Sequence, residues 1–155
     1  IGSGKGVTAL ALARSGYRFT AVDKEEEMLR LTALNLAYEG LLERAELYLM
    51  DGYSLEFPDN SFDNVLIVEA LHHLHEADRI FSEVDRVLRP GGRVVLSDFN
   101  EKGMSIVGGI HEGEGHSHES SSLGEKEAGE WLVSRGYGVR GYGGACHWIL
   151  VASKR

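Results

Sequence analysis

Polar and apolar residues alternate along this chain in two rhythms, one of about 3.6 residues and one of two or none. Val7, Leu10, Ala11 and Arg14 fall on one helical face, and Gly16 stands where such a helix ends. Residues 17–22 form a short β-prone run that closes on Asp23. Glu25, Glu26 and Glu27 follow, placed where the first turn of a helix favours negative charge. Met28, Leu31, Leu34 and Tyr38 then recur at helical spacing until Gly40. Residues 46–50 read as a strand, followed by Asp51-Gly52, and 57–63 (FPDNSFD) is turn chemistry. The continuous apolar run 65–68 suits a strand covered on both faces. Ile80, Val84, Val87 and Leu88 mark a helix that 89–92 (RPGG) stops, and 94–96 is a further buried strand.

The character changes after that. Residues 100–122 are rich in Gly, Ser, His and Glu, which predicts a long loop. Ser122-Leu123-Gly124-Glu125 has the form of a capping box, and the helix behind it carries Ala128, Trp131 and Leu132 and ends at Gly136. Residues 137–142 and 147–153 read as two strands of a hairpin joined through Gly143-Gly144-Ala145. Strand and helix in alternation predict a doubly wound α/β fold with a mostly parallel sheet and helices on both faces. Ligands in such sheets lie beyond the carboxyl ends of the strands. That singles out residues 2–6, Asp23, Asp51, Glu69 and Asp98.

Composition narrows the classes. The 155 residues suit one domain, and 43% hydrophobic content supports a real core. A net charge of −8 with no basic cluster argues against a nucleic-acid partner, which needs cations to neutralise phosphates. Cys146 is the sole cysteine, so neither an intrachain disulfide nor a cysteine zinc cluster can form, which suits a cytoplasmic location. No apolar run approaches about 18 residues, so no membrane span is expected. The chain opens inside what reads as a loop and without Met, so the expectation is a single domain over 1–155 that lacks most of its first strand.

The opening residues, IGSGKG, pose the question of ligand. A P-loop requires Ser or Thr after Gly-Lys, and Gly6 stands there instead. A dinucleotide loop requires a third glycine where Val7 stands, which disfavours a nicotinamide-dependent oxidoreductase. The glycines fall instead at 2, 4 and 6. Asp23, one strand later, is placed to accept from both hydroxyls of a ribose, or to cap the helix that begins near Glu25.

At these residues the chain resembles the class I S-adenosylmethionine-dependent methyltransferases, in the small branch that includes the ubiquinone and menaquinone biosynthesis enzymes. Residues 1–6 resemble the family's glycine-rich motif and 21–23 (AVD) its acidic ribose-binding strand end. Residues 49–74 resemble the segment from its third to its fourth strand, and 84–99 its helix, Pro-Gly-Gly turn and fifth strand. The final hairpin resembles its sixth and seventh strands. The resemblance implies a Rossmann-like seven-stranded sheet and a methyl transfer from S-adenosylmethionine to a small-molecule acceptor. It implies cofactor contacts from Ile1, Gly2, Ser3, Gly4, Gly6, Asp23, Lys24, Asp51, Gly52 and Glu69. Asp23 would bind the ribose, Lys24 and Asp51 would lie at the adenine, and Glu69 would lie near the transferred methyl.

Methyl transfer from a sulfonium is an in-line displacement in which the protein mainly aligns the acceptor. A general base is needed only where the acceptor loses a proton. Glu69, His72 and His73 are the candidates, against the plainer reading that the His pair starts a helix and packs. His111, His116 and His118, interleaved with glutamates, are candidate ligands for Zn²⁺ or another transition metal, against the reading of a solvated loop. The alternative function is therefore a methyltransferase-like metal-binding or regulatory protein. Trp131, Trp148, Tyr137 and Tyr142 read as packing residues, and Cys146 as a small buried one. Little chain remains for a substrate cap, so a homodimer is a candidate way of completing the site.

Overall fold

The computed structural model of the chain describes residues 1–113 and 123–155, with 108–113 described by their backbone alone. The contacts divide these residues into two compact units, 1–57 and 58–155.

In the first unit, α1 (Val7–Arg14) leads to β1 (Phe19–Asp23), α2 (Glu26–Tyr38), a 3₁₀ turn (Leu42–Arg44) and β2 (Ala45–Leu49). The two strands pair in parallel, in register from Phe19 opposite Ala45 to Asp23 opposite Leu49. A parallel pair needs a crossover, and α2 supplies it. Ala9, Ala13 and Leu36 form the core, with Leu10, Phe19, Leu41 and Ala45 packed against them.

The faces that these helices bury differ from the predicted ones. Val7, Leu34 and Tyr38 are exposed, whereas Thr32 and Leu36 are fully buried. The cause is the turn before α1. Thr32 Oγ1 donates to the Gly4 carbonyl (3.0 Å) and Asn35 Nδ2 to the Lys5 carbonyl (2.7 Å). Satisfying the Gly4 carbonyl turns Thr32 inward, whereas Asn35 reaches the Lys5 carbonyl from an exposed position. Small residues on α1 then permit the close approach.

The second unit contains β3 (Phe62–Val68), a 3₁₀ turn (Leu71–His73), α3 (Ala77–Val87), β4 (Leu88–Phe99), α4 (Glu101–Gly113), α5 (Glu125–Ser134), β5 (Gly138–Gly143) and β6 (His147–Ser153). Its sheet has the order β3-β4-β6-β5. β3 and β4 are parallel, while β6 runs antiparallel to both β4 and β5. Ile80, Phe81, Val84 and Val87 of α3 are buried, as are Ala128 and Leu132 of α5 and Ile67, Val94, Leu96 and Leu150 of the strands. Each fully buried Val, Leu, Ile or Phe among them stabilises by about 1.5–3 kcal/mol relative to exposure. Trp148 and Tyr137 are buried as expected, but Tyr142 is exposed.

Two expectations are corrected. The sheet, expected to lack most of the first of its seven strands, shows six strands among the described residues, in a sheet of two and a sheet of four; its pairing is mixed and not mostly parallel. Residues 1 and 2 add no strand, because the chain goes straight into the glycine turn: Gly2 and Ser3 both donate to the Val22 carbonyl (2.9 and 3.1 Å). The short 144–146 connection can only return the chain antiparallel.

The second correction concerns the long loop at 100–122, whose first half is helix α4. Asn100 starts it: Oδ1 accepts from Gly103 N–H (3.0 Å) and the backbone carbonyl from Met104 N–H (2.8 Å). Ser122 lies outside the described residues. Helix α5 is capped two residues later than the box predicted, with Glu127 Oε2 accepting from Gly124 N–H (3.2 Å).

Candidate functional site

Nine of the residues that the resemblance assigned to a cofactor, Ile1 to Gly52 in sequence, lie in the first unit. Gly2, Gly4 and Gly6 have φ of 71°, 52° and 85°, a left-handed region that side chains disfavour. They serve different ends. A Cβ on Gly4 would meet nothing within 4 Å, so this backbone faces open space. A Cβ on Gly6 would lie 2.9 Å from Thr32 Cα and from its Oγ1, so Gly6 is required by the approach of α1's turn to α2. Gly6 therefore has a packing role of its own, like that of the helix-packing glycine in nucleotide-binding turns.

Asp23 organises the turn. Its Oδ2 accepts from Gly4 N–H (2.8 Å) and its Oδ1 from Glu25 N–H (3.1 Å). The carboxylate therefore joins the glycine turn to Glu25, the residue before α2, and keeps accepting capacity, since each oxygen can accept more than once. Ser3 Oγ lies 3.5 Å from Oδ2, and Lys24 is exposed. β2 ends beside β1 in the parallel ladder, with Met50 N–H donating to the Asp23 carbonyl (2.9 Å). Asp51 is thus carried to the same strand ends as Asp23. Its Oδ1 accepts from Tyr53 N–H (3.0 Å), which shapes the turn containing Gly52. This edge offers carboxylate acceptors and a bare glycine backbone: such acceptors suit the hydroxyls of a nucleoside and not a phosphate.

The second unit holds the remaining candidates at the ends of β3 and β4. Asp98 is 2% exposed. His72 Nδ1 donates to Asp98 Oδ1 (2.8 Å), and His72 N–H donates to Oδ2 (2.9 Å). Burial pushes the Asp98 carboxyl upward, but the hydrogen bonds from His72 and from Phe99 N–H outweigh it and hold the group below the usual carboxylate range. With Nδ1 committed to Asp98, His72 keeps Nε2 as an acceptor. The His73 ring is 4.0 Å from that of His72, and His73 is exposed. The carboxylate therefore singles out His72 from the pair.

Glu69, just past β3, has φ of 52°, rare for a residue with a side chain. Its Oε1 lies 3.0 Å from Nε2 of His147, the first residue of β6. The Phe99 ring sits 5.6 Å from His72 and 4.7 Å from His147. Phe99 and His147 escaped the sequence reading. Nothing local marks either; they meet because β4 and β6 pair antiparallel with Phe99 opposite His147.

The metal reading finds no support here. The backbone of His111 lies in α4, but its side chain, with His116 and His118, lies outside the described residues. Among the described residues no group of three or more His, Cys, Asp or Glu side chains converges as metal ligands do. None of their helices is long and apolar enough to cross a membrane.

Comparison with known proteins adds the following. A family model described as "Methyltransferase domain" matches residues 1–96. A demethylmenaquinone methyltransferase of Clavibacter sepedonicus is 36% identical over 107 residues, covering 69% of this chain and 42% of that protein. A 27-O-demethylrifamycin SV methyltransferase of Amycolatopsis mediterranei is 35% identical over 101 residues, covering 64% of this chain and 37% of that protein. The chain thus spans less than half the length of these relatives. The crystal structure of a SAM-dependent methyltransferase from Aquifex aeolicus superimposes with a TM-score of 0.77 at 20% identity, over 99% of this chain and 79% of that one. That likeness establishes the α/β fold.

Proposed function

This chain belongs to the methyltransferase domain family, and from that premise we propose that it transfers a methyl group from S-adenosylmethionine to a small-molecule acceptor. The observation that carries the reading is the edge of the first unit, where Asp23 is hydrogen-bonded to the glycine turn and Asp51 stands on the next strand end. The residues present fit such a cofactor, because Gly4 leaves open space at a left-handed turn and the acceptors suit ribose hydroxyls and an adenine amino group. Asp23 and Ser3 would hold the ribose, Asp51, Gly52 and Lys24 the adenine, and Ile1, Gly2, Gly4 and Gly6 the path of the methionine chain. When bound, the cofactor supplies an electrophilic methyl on a sulfonium.

In this reading residues 1–155 act as one methyltransferase domain. The family resemblance gives Glu69 a place near the transferred methyl, where a carboxylate would attract the positive charge. His72 is the catalytic base, taking a proton at Nε2 from an acceptor hydroxyl or similar group. Asp98 is a positioning residue that fixes the tautomer of His72 and stabilises its charged form, as buried carboxylates do behind histidine bases. The acceptor is a small molecule, in keeping with the names of the relatives. A cytoplasmic location and a homodimer belong to the same proposal.

Isothermal titration with S-adenosylmethionine, S-adenosylhomocysteine and NAD tests the cofactor. The expected result is micromolar binding of both adenosyl compounds and none of NAD. Asp23→Ala should weaken both by about tenfold or more, the scale of one lost charge-assisted hydrogen-bond pair. Failure of the unmodified protein to bind either adenosyl compound would overturn the reading.

A further inference from the structure

We propose that β2 is a dimerisation edge: two copies of this chain join by pairing their β2 strands antiparallel, about a two-fold axis at Leu47. Every residue of the edge lies in the first unit, and the inference gives the homodimer proposed above its surface. Among the described residues β2 pairs with β1 alone. One bond fixes the direction of its peptide groups, from Met50 N–H to the Asp23 carbonyl (2.9 Å). These groups alternate in side along a strand, so those of Glu46 and Tyr48 also turn to β1, and those of Leu47 and Leu49 turn to the open edge. An open edge is a template for another strand, and proteins that keep it single blunt it with Lys, Pro or a bulge. β2 (AELYL) has no Lys and no Pro, and its register with β1 runs without a shift.

The strand complements itself. Its side chains alternate between two faces. Leu47 and Leu49 line a groove of about 640 Å³ with Leu29 and Ala33 of α2. Tyr48 lies on the other face with Glu46, where its hydroxyl donates to Glu46 Oε2 (3.3 Å) and its ring stands edge-on to Phe57. Tyr48 and Leu49 are exposed, Leu49 to 60%. Reversing the strand about Leu47 sets Leu47 against Leu47, the small Ala45 against Leu49, and Glu46 against Tyr48. One face then joins the apolar side chains of both copies across the two grooves. The other face sets each hydroxyl opposite a carboxylate of the facing strand, the kind of cross-strand pair that stabilises sheets. A second copy meets both conditions at once, and a two-fold pairing uses up both edges, so the assembly stops at two.

The test follows the mass of the full chain by sedimentation equilibrium with no ligand present, so its outcome is independent of the cofactor titration. A pairing of five residues is small, and the expected dissociation constant is about 1–100 µM. Leu49→Lys sets a charge in the joined apolar face, at an exposed position where the monomer loses little, and should weaken association by about tenfold or more. Tyr48→Phe removes the hydroxyl alone and should weaken it about threefold to tenfold. Register is read by a disulfide. In a Cys146→Ser background, Leu47→Cys sets two thiols directly opposite, with Cα atoms about 5.5 Å apart and within disulfide reach. Mild oxidation should link the copies through Leu47→Cys and should leave Tyr38→Cys, at the exposed end of α2, unlinked. Should Leu47→Cys fail to fold, the double variant Ala45→Cys, Leu49→Cys, whose thiols face each other across the same axis, takes its place. The proposal is overturned by a chain that stays monomeric up to about 1 mM, or by a dimer whose constant Leu49→Lys moves by less than about twofold. Linkage through Tyr38→Cys in place of Leu47→Cys overturns it as well. None of these results touches the cofactor reading, which its own titration decides.

Discussion

Asp98 shows how much one residue decides. The sequence marks it only as an acid at the end of a strand, yet it is buried and accepts from both the side chain and the backbone of His72. Asp98→Asn replaces an obligatory acceptor by an amide whose NH₂ can face Nδ1 and favour the wrong tautomer. With the protein's acceptor, this variant should lower kcat by about 10²–10⁴-fold, the range for general-base catalysis, with the affinity for S-adenosylmethionine unchanged. A kcat within twofold of the unmodified protein would show that the proton leaves by another route. Of the residues singled out from sequence, Asp23 and Asp51 do stand at adjacent strand ends. Gly6 was legible as a glycine that the turn requires, but not its reason, which is the proximity of Thr32 from a different helix.

Among the elements, α4 is the most instructive. Its composition speaks against a helix, since Gly103, Gly108 and Gly109 each cost about 1 kcal/mol relative to Ala in a helix interior. The helix forms nonetheless from the Asn100 cap, and its first turn presses on the chain before β6. A Cβ on Gly103 would lie 2.1 Å from the Cys146 carbonyl and 3.0 Å from Phe99 Cβ. Since a backbone oxygen cannot swing aside as a side chain does, Gly103→Ala must displace α4 or the start of β6. It should destabilise by about 1–3 kcal/mol or more, as overpacking does, read as a lowered midpoint in urea. A midpoint equal to that of the unmodified protein would mean that α4 docks differently. By contrast, α3 was legible from the sequence alone: Ile80, Val84 and Val87 recur at helical spacing and all three are buried.

At the scale of the whole molecule, the buried carboxylate couples stability to pH. Asp98 is held below its usual range in the folded protein, so folding releases protons from it when the medium is acidic enough. Its stabilising contribution is complete above about pH 4, the unfolded value, and is lost as the pH falls through the lower folded value. Unfolding free energies of the protein and of Asp98→Asn, measured from pH 7 down to pH 2, should therefore converge at the acid end, where the protonated acid resembles the amide. A gap that stays constant across that range would contradict the assignment.

What the sequence by itself determined is whatever depends on near neighbours: the alternation of strand and helix, the turn at the glycines, the apolar faces of α3 and α5, and the acids that close β1 and open the turn after β2. These follow from periodicity, capping and turn chemistry within a few residues, and the family resemblance rests on the same local motifs. Pairing partners were decided only by the tertiary structure. Thr32 faces inward because it reaches the Gly4 carbonyl 28 positions away, while the larger Leu34 and Tyr38 of α2 stay exposed. His147 meets Glu69, and Phe99 comes to stand between two imidazoles, because β4 and β6 adopt one register out of many. Register is set by the summed burial of a whole strand, so no single stretch of the sequence displays it.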